Sequence, residues 1–158
     1  MYITLCGVFY DSRRRRKLPL PPLLPDVDRD TTLKVLGVTL SSNMSASEHN
    51  RRVVSDSAQT LYALRVLRHH GMNDADLQNV FRAVVVSRLT YVSPAWRGFI
   101  TGADLQPVNA FIRRCKRSHY CSSDMPDIVE LMEEADERLF RSTSNNPHHT
   151  LHTLLPPQ

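Results

Sequence analysis

Basic and aromatic side chains along one predicted helix are the first feature of this chain that could contact a ligand. Arg51, Tyr62, Arg65 and His69 fall on one flank of the apolar stripe in the predicted helix over residues 45–70, and Arg68 lies close by. Arginine pairs with phosphate oxygens through parallel hydrogen bonds, and a tyrosine ring can stack on a base. The pattern is compatible with nucleic-acid contact and equally with a solvated face that carries Tyr62 at its edge.

A second basic group surrounds Cys115 near the end of the predicted third helix. Its members are Arg113, Arg114, Lys116 and Arg117. Cations at a helix C-terminus interact favourably with the helix dipole, which accounts for one or two of the four. Four cations within five residues exceed that requirement and favour contact with a polyanion.

The net charge of +4 is unevenly distributed. Residues 1–43 carry seven Lys/Arg and four Asp/Glu, residues 44–123 carry eleven and five, and residues 124–158 carry two and seven. The three segments therefore have charges of +3, +6 and −5. A basic middle indicates a polyanionic partner, although surface solvation also explains it. The run Arg13–Lys17 has the composition of a nuclear-import signal or a nucleic-acid arm.

Residue types suited to catalysis or metal binding are present without a suitable arrangement. Six residues are zinc-type ligands: Cys115, His119, Cys121, His148, His149 and His152. Their spacing is not that of a zinc finger or ribbon. Asp26, Asp28 and Asp30 alternate in a proline-flanked segment, which is typical of a solvated turn. The sequence contains no glycine-rich phosphate loop, no nucleophile elbow and no adjacent aspartates. We therefore predict no enzyme activity, no metal or cofactor and no small-molecule substrate.

Cysteine usage and hydropathy bear on the compartment. Three cysteines form an odd set without the spacing of a secreted disulfide framework, so we expect reduced thiols and a cytoplasmic or nuclear setting. No apolar run approaches the roughly 18 residues of a membrane helix. The start of the chain lacks the basic region that opens a signal peptide.

The N-terminal third predicts little regular structure apart from one hairpin. Residues 1–25 form a leader with a basic and a proline-rich segment, which we expect to be disordered, although Met1–Tyr10 could also form a strand. Proline removes backbone donors, so no regular element should cross residues 18–25. β-Branched residues in TTLKVLGVTLSS predict a short β-hairpin within residues 26–43, and Gly37 permits a tight bend.

Helical periodicity dominates from Ser45 onwards. The first helix covers residues 45–70 with Gly71 as its stop, and the second begins at an Asn73 cap and ends near Val92–Pro94. The third starts around Thr101–Gln106, and the fourth covers Met125–Phe140. The predicted apolar positions of the first two helices are Val54, Leu61, Leu64 and Leu67, and then Leu77, Val80, Phe81, Val84 and Tyr91.

Short connections make consecutive helices antiparallel. We therefore predict a mainly α fold in which a small antiparallel bundle of about four helices, over residues 44–143, carries the hairpin at one end. Trp96 is expected in the core at the end of the bundle, because a tryptophan buries a large area. Both ends should be flexible, with an irregular tail over residues 144–158.

The order of these segments resembles the C-terminal part of a non-LTR (LINE-type) retrotransposon reverse transcriptase. LPLPPLLPDVDRDTTLKVLGVTL resembles the end of the polymerase palm, and Leu36 and Gly37 fall on the turn of its primer-grip hairpin. SEHNRRVVSDSAQTLYALRVLRHHGM and DLQNVFRAVVVSRLTYVSPAW resemble the helical thumb and the segment after it. AFIRRCKRSHYC and DERLFRSTSNNPHHTLHTLLPP resemble the end of such reading frames.

The resemblance implies a truncated, thumb-like remnant of a polymerase. The family's catalytic aromatic-Ala-Asp-Asp turn has no counterpart in this sequence, so nucleotidyl transfer by two metal ions is not expected. The implied partner is RNA or an RNA–DNA hybrid bound without sequence specificity, and no membrane. The alternative is a structural or non-functional helical piece with no specific ligand. Pro107 departs from the family's continuous third helix and would move the helix start to a Gln106 cap.

Overall fold

Short strands occupy the N-terminal part of the computed structural model, which describes residues 4–9 and 19–156. β1 (Thr4–Gly7) pairs in parallel with β2 (Val27–Asp30), and β3 (Thr32–Val35) pairs antiparallel with β4 (Val38–Ser41). The predicted hairpin is confirmed, but it covers only residues 32–41, because residues 27–30 belong to a separate two-stranded sheet.

A turn at Asp30 separates the two sheets. The Asp30 carboxylate accepts a hydrogen bond from the backbone N–H of Thr32 at 3.0 Å, the Asx-turn geometry that redirects a chain. The prediction of a disordered leader is wrong for Thr4–Gly7, which forms β1. The alternative prediction, a strand within Met1–Tyr10, is the one that holds for these residues. Residues 19–25 contain no regular element, in agreement with their proline content. Arg13–Lys17 lies outside the described residues.

The turn of the β3–β4 hairpin consists of Leu36 and Gly37. Both have positive φ angles, 48° and 89°. Two such residues give a type I′ turn, whose twist matches that of the flanking strands. Gly37 adopts this conformation without strain, whereas a branched Leu36 pays a steric penalty and leaves its side chain 86% exposed at the tip.

α1 (Ser47–His69) ends where the sequence predicts. Gly71 has φ of 91°, its N–H donates to the Arg68 carbonyl at 3.0 Å, and the Met72 N–H donates to the Leu67 carbonyl at 3.1 Å. This pair of bonds is the Schellman motif, which satisfies carbonyls of the last helical turn.

A single helical rod follows, built from α2 (Asp74–Phe81), a π-helical turn (Arg82–Val86) and α3 (Ser87–Leu89). The predicted cap is confirmed, since the Asn73 side chain accepts a hydrogen bond from the Asp76 N–H at 2.9 Å. The Ser87 N–H bonds the Arg82 carbonyl, five residues back, which marks the wide turn.

The π-helical turn shifts the apolar face of this rod. Leu77, Phe81, Val85 and Leu89 are buried, each four residues after the last. In a regular α-helix, residues spaced by four drift about 40° around the axis at each step, so the series would leave the core-facing side. The extra residue in the wide turn offsets this drift and keeps the series facing the core. The prediction that Val84 and Tyr91 belong to the buried stripe is therefore wrong, since they are 37% and 52% exposed.

Trp96 is the largest of the fully buried side chains among the described residues, at 1% exposure. It ends α4 (Ser93–Trp96), a short helix that continues as a 3₁₀ turn (Arg97–Phe99). Its indole Nε1–H donates to the Tyr91 carbonyl at 2.8 Å. The prediction of a core tryptophan is confirmed.

α5 (Gly102–Arg117) starts at the Thr101 cap. The Asp104 carboxylate accepts hydrogen bonds from the Thr101 N–H at 2.8 Å and from its hydroxyl at 2.7 Å. Pro107 lies inside this helix, so the prediction that it moves the start to Gln106 is wrong. Pro107 is the sixth residue of the helix, so the Ala103 carbonyl, four residues earlier, lacks the N–H donor that a regular helix would supply.

α6 (Ile128–Asn145) begins later and ends later than predicted. Pro126 disfavours helix at the preceding residue, and Asp127 supplies the cap by accepting hydrogen bonds from the backbone N–H groups of Val129 and Glu130 at 2.8 and 3.0 Å. Beyond Asn145 the tail includes a 3₁₀ turn (His152–Leu154).

The long helices form a small bundle. Arg68 near the end of α1 contacts Asp74 at the start of α2, and Thr60 within α1 contacts Arg88 near the end of the rod, so α1 and the rod run in opposite directions. The Asn50 side chain near the start of α1 donates to the Asp104 carbonyl near the start of α5, and Arg68 donates to the Ser118 carbonyl at the end of α5, so α1 and α5 run in the same direction. Val53, Ser57 and Leu64 of α1 are buried, whereas Leu67, predicted in that stripe, is 36% exposed. None of the helices formed by the described residues has the length and apolar character that crossing a membrane requires.

Candidate nucleic-acid interface

A groove between α1 and α5 brings the two predicted basic groups together. Its volume is about 300 Å³. It is lined by Ala58, Leu61, Tyr62, Arg65, Arg114, Ser118 and Tyr120. Arg65 comes from the basic flank of α1 and Arg114 from the cluster around Cys115, so the groove has cations on both walls and aromatic rings within it.

The packing of the two helices explains this arrangement. Leu64 of α1 and Cys115 of α5 are buried in the shared core, at 1% and 0% exposure. Arg65 and Arg114 are the immediate chain neighbours of these anchors, so each lies about 100° around its helix from the core position. Because α1 and α5 run in the same direction, both arginines reach the groove. Tyr62 is 71% exposed at its edge.

Arg68, predicted with this group, has a structural position instead. Its guanidinium donates hydrogen bonds to the carbonyls of Ser118 at 2.8 Å and His119 at 3.2 Å, at the C-terminal end of α5. It also lies 4.2 Å from the ring centre of Tyr120 and 3.5 Å from the Asp74 carboxylate. These contacts compete with phosphate for the same donors, so we leave Arg68 out of the interface.

Replacing Arg68 with methionine should lower the free energy of unfolding by about 1–2 kcal/mol, because carbonyls at the end of α5 lose a charged donor while most of the side-chain volume is kept. The loss is limited because the guanidinium is partly exposed to solvent, which screens its charge. Urea denaturation followed by circular dichroism measures the effect. Arg65→Met is the matched control on the same helix, and a loss equal to that of the control would contradict the structural role.

The four cations around Cys115 divide into three that are exposed and one that forms a contact within the fold. Arg113, Arg114 and Arg117 are exposed, whereas Lys116 is partly buried and donates from Nζ to the Met125 carbonyl. Lys116 therefore ties the end of α5 to the connection that leads into α6. Its predicted role in binding a polyanion is weakened by this contact.

The three exposed arginines of α5 continue the groove as one surface. Arg113 and Arg117 line a second shallow depression of about 450 Å³ beside Ala110 and Lys116. Helical spacing places Arg113, Arg114 and Arg117 within one exposed arc of α5. We call Tyr62, Arg65 and these three arginines the basic band.

Arg51 lies apart from the basic band. It precedes Arg65 by fourteen residues, or about 21 Å along the helix axis. It is close to Asp104: burial by itself would raise the pKa of that carboxyl, but hydrogen bonds from Thr101 and Ser47 and the charge of Arg51 outweigh burial and lower it. Arg51 thus stabilises the start of α5, and its predicted membership of one binding surface with Arg65 is not supported by this placement.

The acidic helix α6 does not neutralise the basic band through ion pairs. Arg97 forms salt bridges with Glu133 at 2.9 Å and with Asp136 at 2.8 Å. Glu134 pairs with Arg138, and Glu137 with Arg141, within α6 itself. Over residues 4–9 and 19–156, no acidic side chain forms a salt bridge with Arg113, Arg114 or Arg117.

The cysteines of this region have the properties of core residues. Burial raises the pKa of the Cys115 thiol to about 12, and the neighbouring Cys121 acts in the same direction. A protonated, enclosed thiol is a poor nucleophile and a poor zinc ligand. In the part of the chain that the structure describes, no three His, Cys, Asp or Glu side chains are grouped as a metal site would need.

Leu36 and Gly37, the predicted primer-grip pair, lie away from the basic band. The Tyr91 hydroxyl contacts the Leu36 carbonyl at 3.4 Å, which places the hairpin turn beside the end of the α2–α3 rod. No sequence pattern predicts that contact, because the helical spacing places Tyr91 on the apolar stripe.

Comparison with protein-family models, with curated proteins and with solved structures found no match to this chain.

Proposed function

We propose that the chain is a thumb-like remnant of a non-LTR retrotransposon reverse transcriptase that binds RNA or an RNA–DNA hybrid through the basic band, without sequence specificity and without polymerase activity. The observation that carries this proposal is the groove between α1 and α5, which is lined by Arg65 from one helix, Arg114 from the other and the exposed Tyr62.

The chemistry of the basic band suits a nucleic-acid backbone. Arg113 and Arg117 are four residues apart, or about 6 Å along the axis of α5, and successive phosphates of one strand advance about 3.4 Å along a duplex. Neighbouring phosphates are therefore within reach of neighbouring arginines. Guanidinium groups that bind phosphates carry no sequence information, so binding should not depend on sequence.

The order of the segments supports the proposed origin. A hairpin with a Leu36–Gly37 turn precedes a set of packed helices, the order in which a palm end precedes a thumb in the resembled family. The sequence contains no adjacent aspartates to hold two metal ions, so this chain's own residues provide no basis for nucleotide addition.

A structural helical piece without a ligand is the competing function. It is favoured by the internal use of Arg68, Lys116 and Arg97, each of which bonds another part of the bundle. Arg65, Arg113, Arg114 and Arg117 form no such ion pair within the described residues, and the proposal depends on these four.

Fluorescence anisotropy with two labelled RNA–DNA hybrids of unrelated sequence tests the proposal. We expect both to bind with dissociation constants of about 10⁻⁴–10⁻⁶ M at moderate salt, the range of non-specific electrostatic binding. The two values should agree within about threefold, because phosphate contacts do not read bases. Absence of binding at low salt would favour the structural piece, and a preference of more than about tenfold for one sequence would contradict phosphate recognition.

A further inference from the structure

A cationic cleft lies on the other side of α1, beneath the β3–β4 hairpin. Its volume is about 550 Å³, and its walls are the hairpin, α1 and the helical rod around the π-helical turn. The charged and titratable groups that line it are Lys34, His49, Arg52, Asp56, Arg88 and Tyr91. Arg52 and Arg65 are thirteen residues apart on α1, which puts them about 140° apart around the helix, so the cleft is separate from the basic band.

The charges of the cleft do not cancel. Three cations, Lys34, Arg52 and Arg88, face a single carboxylate, Asp56. Within the described ranges none of these four side chains forms a salt bridge. Arg88 donates from its guanidinium to the Thr60 hydroxyl at 3.1 Å, a neutral partner that leaves its charge uncompensated. The cleft therefore has a positive potential.

His49 lines the cleft and is close enough to Arg52 and Lys34 to be affected by their charges. Its side chain is buried, and its ring packs edge-on against Trp96 with 5.2 Å between centroids. Burial lowers the pKa of its imidazole, and the charges of Arg52 and Lys34 lower it further. Arg52 of α1 and Lys34 of β3 thus both lower the pKa of His49, and an anion bound between these two cations would raise it.

The π-helical turn gives the cleft a fixed wall. It sets Ala83, Val84 and Ser87 along the cleft, with the Tyr91 ring at the end. The Tyr91 hydroxyl bonds the Leu36 carbonyl at 3.4 Å, which fastens this wall to the hairpin turn. Single π-helical turns within α-helices occur frequently at functional sites.

We propose that this cleft binds the phosphate group of a small molecule, with Lys34, Arg52 and Arg88 as its cationic ligands. Arginine forks match phosphate oxygens, and a lysine adds a point charge. Asp56 offsets one of the three positive charges, and the remaining excess matches a phosphate group, which carries about −1.5 to −2 charges at neutral pH. Val84 and Tyr91 line the cleft and are exposed, so they offer apolar surface to an uncharged group attached to the phosphate.

NMR titration of the full chain tests the site, with inorganic phosphate, adenosine monophosphate and adenosine as probes at constant ionic strength. Both phosphate probes should shift the His49 ring and Ser87 amide signals saturably and raise the pKa of His49, whereas adenosine should do neither. Tighter binding of the monophosphate than of phosphate would identify an ester as the preferred source. No saturable shift with either phosphate probe, or an equal response to adenosine, would overturn the site.

Variants locate the binding. Arg52→Gln and Lys34→Gln should each weaken phosphate binding about fivefold or more, the effect of losing one nearby charge. Lys34 is on the exposed hairpin, so its variant keeps the fold if Arg52→Gln does not. Arg138→Gln removes the same charge from an exposed position on α6, outside both the cleft and the basic band, and should leave phosphate affinity unchanged. Equal weakening by Arg138→Gln would show general charge attraction and would overturn the site.

Discussion

Replacing Trp96 with alanine is expected to lower the free energy of unfolding by about 3–5 kcal/mol, the range for truncating a buried large aromatic residue. The indole is 1% exposed, packs against His49 and donates to the Tyr91 carbonyl at 2.8 Å, so the variant loses packing and leaves a carbonyl without its donor. A small domain has about 5–15 kcal/mol of stability in total. Urea denaturation followed by far-ultraviolet circular dichroism measures the loss.

Tyr62→Ala is the matched control, because it also removes a large aromatic ring but from a side chain that is 71% exposed. It should change stability by no more than about 0.5 kcal/mol. Trp96→Phe keeps a ring and removes the N–H donor, so it separates packing from the hydrogen bond. Similar losses for Trp96→Ala and Tyr62→Ala would contradict a core built around the indole.

Replacing Arg113, Arg114 and Arg117 together with alanine is expected to weaken binding to an RNA–DNA hybrid by about 10²–10³-fold at about 0.1 M salt. Each arginine that neutralises a phosphate releases a condensed counterion, and at this salt concentration each release contributes nearly tenfold in affinity. Lys116 is left intact, since its bond to the Met125 carbonyl supports the fold. Anisotropy titration measures the change, and circular dichroism establishes that the variant is folded.

A charge-matched control separates the basic band from net charge. Arg82, Arg138 and Arg141 are exposed and lie outside the band, and replacing all three with alanine removes the same charge. Affinity should then fall by less than about tenfold, because distant exposed charges are screened over roughly 10 Å at this salt concentration. Equal losses in the two triple variants would show that binding has no defined surface.

Local signals made much of the fold predictable from the sequence. Gly71, Asn73 and Gly37 each act within a few residues, as a helix stop, a helix cap and a turn residue, and the structure has all three in those positions. The two-residue turn also fixes the register of its hairpin.

The predictions failed where long-range strand pairing or a departure from regular helix geometry determines the structure. Pairing of β1 with β2 joins residues 4–7 to residues 27–30 across the basic and proline-rich segment, and no local pattern encodes it. The π-helical turn violates the constant helical period from which Val84 and Tyr91 were assigned to the core. A wide turn of this kind is visible in sequence only as an apolar spacing of four residues.

The candidate site was predictable in its parts and not in its assembly. Composition indicated Arg65 and Arg114 separately, but their meeting depends on α1 and α5 running in one direction. Arg68 was equally basic and close in sequence, and the Ser118 carbonyl, fifty residues later, determines its role. The cleft beneath the hairpin was missed because Lys34, Arg52 and Arg88 are isolated in sequence and converge only in the fold.

The salt dependence of hybrid binding tests most directly whether the basic band contacts phosphates. Four arginines acting together should give a slope of about −3 to −4 when the logarithm of the binding constant is plotted against the logarithm of salt concentration. The variant without Arg113, Arg114 and Arg117 retains one of the four and should give a slope of about −1. A slope near zero for the unmodified chain, or the same slope for both proteins, would contradict the account.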